Sequence, residues 1–104
     1  MKQITVPDEY GNKYTLEYSK ATIMQMERAG FSLDKFEEQP VLMTTLLYQG
    51  AFAKNHRHIK NETMDKIYES LKDKEAFLKN LVEMYAEQSD KLVDEGNAEW
   101  EANF

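Results

Sequence analysis

Cysteine is missing from this sequence altogether. Disulfides, thiolate metal sites and thiol nucleophiles are therefore excluded together. Glycine occurs four times and proline twice, with no two glycines close together, so a glycine-rich phosphate loop or a nucleophile elbow has nothing to be built from. No apolar run approaches the roughly 20 residues that a membrane-spanning helix needs. The opening MKQITVPDEY lacks the apolar centre of a secretory signal. Together these absences make the cytoplasm the expected location. The longest stretch without acid is residues 39–61, which carry three Lys/Arg and two His but no Asp or Glu.

What is present fits one small domain. The 104 residues can bury a real core but not two, and 41% hydrophobic with 31% charged residues is a globular rather than a disordered composition. The net charge is −6, unevenly spread: residues 62–104 hold five Lys against twelve acids, beyond the basic waist at 39–61. An acidic surface repels phosphate, so extended nucleic-acid binding is disfavoured, and a basic partner is easier to accept.

The expected fold is mainly α, with an N-terminal β-hairpin packed on a bundle of about four helices. In ITVPDEYGNKYTLEYS, Ile4 and Val6 alternate with Thr5, and Tyr14, Leu16 and Tyr18 alternate with Thr15 and Glu17. Gly11-Asn12 reads as the positive-φ pair of a tight turn, and Pro7 as an edge position. Ser19 caps a first helix that Gly30 stops, and Ser32 or Asp34 caps a short turn with Leu33 and Phe36. Pro40 opens a second helix over 41–54, the most apolar element, with Leu42, Leu46, Leu47 and Phe52. Asn61 is read as the cap of a third helix with Met64, Ile67, Tyr68 and Leu71. Asp73 caps a fourth, carrying Phe77, Leu78, Leu81, Val82, Met84, Tyr85, Leu92 and Val93 as far as Gly96. Residues 1–95 thus form the expected domain, and 96–104 an acidic, aromatic tail.

The candidate chemistry is thin. His56 and His58 are two residues apart with no acid between Glu38 and Glu62, so a third local metal ligand is missing, and a polar basic loop is the reading they support. Glu62, Asp65 and Glu69, like Glu83, Glu87 and Asp90, follow the solvent side of their helices rather than forming a catalytic pair. No catalytic, cofactor or metal residue is assigned, and the expected protein is not an enzyme. The second and third helices permit a helix-turn-helix, but the third begins with the wrong charge for phosphate. Partner binding is the remaining class, with Tyr48, Phe52, Lys54, His56, Arg57 and Trp100 as its candidates. Trp100 and Phe104, set among acids, either dock in a basic groove or form a disordered tail. Met24, Met26, Met43, Met64 and Met84 either offer an adaptable surface or fill core gaps. Gly50, costly inside a helix by about 1 kcal/mol, implies a close approach by another backbone, the hairpin or the fourth helix.

Four stretches, ATIMQMERAGF, LLYQGAFAKNH, KIYESL and LVEMYAEQSDKLV, resemble the small tail assembly chaperones of long-tailed bacteriophages and prophages. The likeness runs from Tyr14 to Val93 and is most specific at Met26–Phe31 and Tyr48–Phe52. It implies a non-enzymatic protein of the bacterial host cytoplasm that coats the long helical tape measure protein, keeps it soluble and gives way to tail tube protein. It also implies self-association, and often a longer frameshifted form. The ending from Trp100 to Phe104 departs from the family pattern. A small acidic regulator that binds another protein is the alternative.

Overall fold

Asp8 builds the first turn. A computed structural model of the chain describes residues 2–93 and 96–103. Strands β1 (Ile4–Pro7) and β2 (Lys13–Leu16) pair antiparallel, with Ile4 opposite Leu16 and Val6 opposite Tyr14. Between them the Asp8 carboxylate accepts hydrogen bonds from the Tyr10 and Asn12 amides, each at 2.9 Å, and from the Asn12 side chain and Tyr14 hydroxyl, each at 3.1 Å. Gly11 alone takes a positive φ there, +85°. The connection is thus an Asp-organised loop over residues 8–12, not the two-residue Gly-Asn turn expected. Pro7 pairs with Lys13 at a position whose N–H faces away from the ladder, so its missing donor loses no strand bond.

Ser19 begins α1 (Lys20–Arg28) with a reciprocal cap: its hydroxyl accepts from the Thr22 amide while the Thr22 hydroxyl accepts from the Ser19 amide. Gly30, at φ +103°, ends it. Ser32 caps a single 3-10 turn, Leu33–Lys35, and Pro40 is the first residue of α2 (Pro40–Phe52). Helix α3 (Asn61–Ser70) follows, and its cap position is Lys60 rather than Asn61, without a side-chain bond. Asp73 caps α4 (Lys74–Asp90) from a left-handed backbone, φ 49°, accepting from the Ala76 amide.

The expected class, a hairpin on four helices, is what the chain forms. Helix α2 packs against α1, α4 and β2, and so crosses the centre. It buries Met43, Leu47 and Ala51, one turn apart, together with Tyr48 and Phe52. Opposite them lie Val6 and Leu16 of the hairpin, Ile23 and Met26 of α1, and Leu81, Met84 and Tyr85 of α4. Each large apolar side chain so buried stabilises the fold by about 1.5–3 kcal/mol. Four of the five methionines singled out above, Met26, Met43, Met64 and Met84, are core residues, and Met24 is exposed.

Two apolar expectations fail. Leu42, read among the apolar residues of the central helix, is 48% exposed, as is its neighbour Val41 at 79%, because α2 is apolar all round and its periodicity does not choose a face. Leu92 and Val93 are also exposed, since α4 ends at Asp90 and not at Gly96.

Candidate functional site

The segment after α2 is a clamp. Helix α2 leaves carbonyls unpaired at its C-terminal end. The Ala53 amide takes that of Gly50, the His56 amide that of Phe52, and the Glu17 amide, just past β2, that of Ala51 at 3.1 Å. The chain then runs beside the outer edge of β2. There His56 Nε2 accepts from the Thr15 amide at 2.9 Å, and Asn55 Nδ2 donates to the Thr15 carbonyl at 3.3 Å. Side chains thereby seal a strand edge that would otherwise present unpaired backbone groups.

Glu17 is the centre of this clamp. It is 4% exposed, covered by polar side chains rather than by the apolar core. Oε1 accepts from Asn55 Nδ2 at 2.9 Å and from Gln3 Nε2 at 3.2 Å. Among the described residues Oε2 has no hydrogen bond and meets only the Lys54 ammonium, 3.1 Å away. The Asn55 bond holds the carboxyl below the ordinary glutamate value of 4.5, against the opposing effect of burial, and the Lys54 charge adds to the lowering.

The six partner-binding candidates therefore separate. Tyr48 is 4% exposed and Phe52 fully buried, so neither reaches a partner. The Tyr48 hydroxyl donates to the Met64 carbonyl at 2.8 Å, and burial pushes the phenol well above its usual value of 10. Its ring meets those of Phe52, Tyr68 and Phe77 edge-on and joins α2 to α3 and α4. Lys54 is committed to Glu17. His56 is half-buried, with its ring edge-on to Tyr14 and Phe52. Lys54, Arg57 and Trp100 are exposed, of which Lys54 alone is held by a carboxylate among the described residues, and Phe104 lies outside them.

Gly50 answers to a different neighbour from the one expected. A Cβ there would stand 2.5 Å from Met26 Sδ and 2.7 Å from its Cγ, so a buried side chain of α1, not another backbone, occupies the space. The segments Met26–Phe31 and Tyr48–Phe52 thus meet in the core.

Glu17, Asn55 and Thr15 were missed by reading the sequence. Alternation in β2 placed Glu17 on the solvent side, and no local pattern points from it to a segment 38 residues away. Leu42 was read as one of the apolar residues of the second helix, and Val41 only as its start. With Leu33 of the 3-10 turn and Met24 of α1, they are the exposed apolar residues of the helices and turn that precede the clamp.

A cleft of about 670 Å³ separates the hairpin loop from α3, with Pro7 and Ile67 among the apolar residues lining it and Lys60 and Glu9 among the charged. A smaller one, about 180 Å³, lies between α2 and α3 beside Tyr48 and Asp65. Among the described residues no three His, Asp or Glu side chains are grouped to hold a metal ion. No helix among them is long and apolar enough to cross a membrane.

Comparison with curated proteins gave no match. Comparison with solved structures gave none either. One family model matches residues 1–104, and the chain belongs to that family, described as Domain of unknown function (DUF5055).

Proposed function

We propose that this chain is a non-enzymatic tail assembly chaperone of a long-tailed bacteriophage or prophage, which binds the tape measure protein in the host cytoplasm and keeps it soluble until tail tube protein replaces it. The observation that carries the reading is where apolar side chains are left on the surface. Tyr48 and Phe52 are committed to the core and His56 to the clamp, while Val41 and Leu42 in the first turn of α2, Leu33 of the 3-10 turn and Met24 of α1 stand exposed. Flexible and aliphatic side chains of this kind suit the apolar stripes of a long helical client. The choice of client rests on the sequence likeness at Met26–Phe31 and Tyr48–Phe52. Tail tube protein, a second possible partner, has no separate observation in its favour.

An acidic regulator of some other protein would use the same apolar surface. A DNA-binding reading is weaker, because α3 carries Glu62, Asp65 and Glu69. The chaperone reading expects a long, coiled-coil-patterned protein to be encoded beside this gene, and the test is co-expression with it, followed by sizing. A soluble complex containing both chains supports the chaperone, and an insoluble long protein beside an unaccompanied small one contradicts it.

A further inference from the structure

Trp100 is the only tryptophan of the chain. It is 84% exposed, between Glu99 and Glu101, on a segment without helix or strand. Residues 96–104 contain no Lys or Arg. The opposite charge collects on the α2–α3 connection, where Arg57, His58 and Lys60 are exposed around a half-buried Ile59. Among the described residues none of these three is in an ion pair. Lys54 is already neutralised by Glu17, so the open basic surface is the connection itself. Lys60 shares a cleft with Asp8 and Glu9 and pairs with neither, and the Asp8 carboxylate is taken up by its own loop.

We propose that the Glu99-Trp100-Glu101 segment of one copy docks on the Arg57–Lys60 connection of a second copy. The indole lies on the Arg57 guanidinium and against Ile59, and the two carboxylates face Arg57 and Lys60. An exposed aromatic gains most from such a contact, through apolar burial and attraction between a cation and its ring face. The ion pairs at the rim chiefly set orientation. Tail and connection are different surfaces, so the contact either closes reciprocally in a two-fold pair or runs head-to-tail into a ring or a filament. Self-association is also what the chaperone likeness implies, but the contact is argued from the exposed indole and the unpaired cations and concerns copies of this chain, not the client.

Net charge separates this local attraction from a general one. Two copies at −6 each repel at long range. At about 0.1 M salt, with a screening length of about 10 Å, that repulsion is largely removed while contact pairs persist; at about 1 M, with about 3 Å, the pairs are screened too. The sole tryptophan reports the contact directly. At the lower salt its emission should move to the blue as full-length protein is concentrated, in step with rising mass by sedimentation, and the apparent Kd should weaken at least about tenfold at the higher salt. The double variant Arg57→Glu/Lys60→Glu should show neither change. Mixing it with Glu99→Lys/Glu101→Lys should restore both, which a merely misfolded variant would not do. Emission that is unchanged with concentration overturns the proposal, whether red because the tail stays in water or blue because it folds back on its own chain. Association that survives the double variant overturns it as well.

Discussion

Met26 of α1 lays its thioether in the gap that Gly50 leaves on α2, where a Cβ would stand 2.5 Å from the sulfur. The glycine is a packing device in a helix that would otherwise prefer alanine. Gly50→Ala gains about 1 kcal/mol of helix propensity but forces Met26 aside, an overpacking of about 1–3 kcal/mol, so a net loss near 1 kcal/mol is expected. Met26→Ala alone should cost about 2–5 kcal/mol. In the Met26→Ala background the sign of Gly50→Ala should reverse to a gain. Denaturant unfolding of the four proteins checks this, and additive effects would refute the interlock.

The clamp on β2 gives a local readout. His56→Ala removes the acceptor for the Thr15 amide, so exchange of that amide should accelerate selectively while amides of α4 keep their protection until global unfolding. A uniform rise in exchange would mean that His56 serves only general stability.

Glu17 gives a pH dependence of known sign. Its carboxyl is held below 4.5, so its contribution is complete above that value and is lost as pH falls through the lowered one. Glu17→Gln keeps the acceptor for Asn55 but loses the ion pair with Lys54, and should cost about 1 kcal/mol at neutral pH. Below pH 4.5 the gap between the two proteins should close. A gap that widens on acidification would contradict the assignment.

Tyr48 was a binding candidate, and its burial makes it a stability residue. Tyr48→Phe strands the Met64 carbonyl without its phenol donor and should cost about 0.5–1.5 kcal/mol. Tyr18→Phe should behave alike, because its hydroxyl donates to the Leu47 carbonyl at 2.6 Å. Client solubilisation should be unchanged by either at temperatures where both variants remain folded.

How much was legible depended on how local each signal is. The caps at Ser19 and Asp73, the stop at Gly30 and the alternation of β1 are written within a few residues, and the structure keeps them. Gly50 announced a close approach but not its partner, which comes from a helix earlier in the chain. Asn12 beside Gly11 suggested a two-residue turn, whereas Asp8 four positions before it organises a longer one. The basic waist misled most. Its Lys54 and His56 looked outward-facing by composition, yet they answer to Glu17 and to Thr15, the latter 41 residues from His56. The binding candidates were sought among aromatic and charged residues, and α2, apolar on every side, hid the fact that Val41 and Leu42 face solvent.

The most direct measurement is co-expression of the proposed client, the long helical protein expected to be encoded nearby, with either the natural chain or its Val41→Asp/Leu42→Asp variant, followed by sizing of the soluble fraction. Both positions are exposed, so the variant should fold with stability within about 0.5 kcal/mol per substitution. The expected result is a soluble complex with the natural chain and an insoluble client with the variant, itself still soluble and folded. A client that stays insoluble beside the natural chain, or one that the variant solubilises equally well, would contradict the proposed function or its surface respectively.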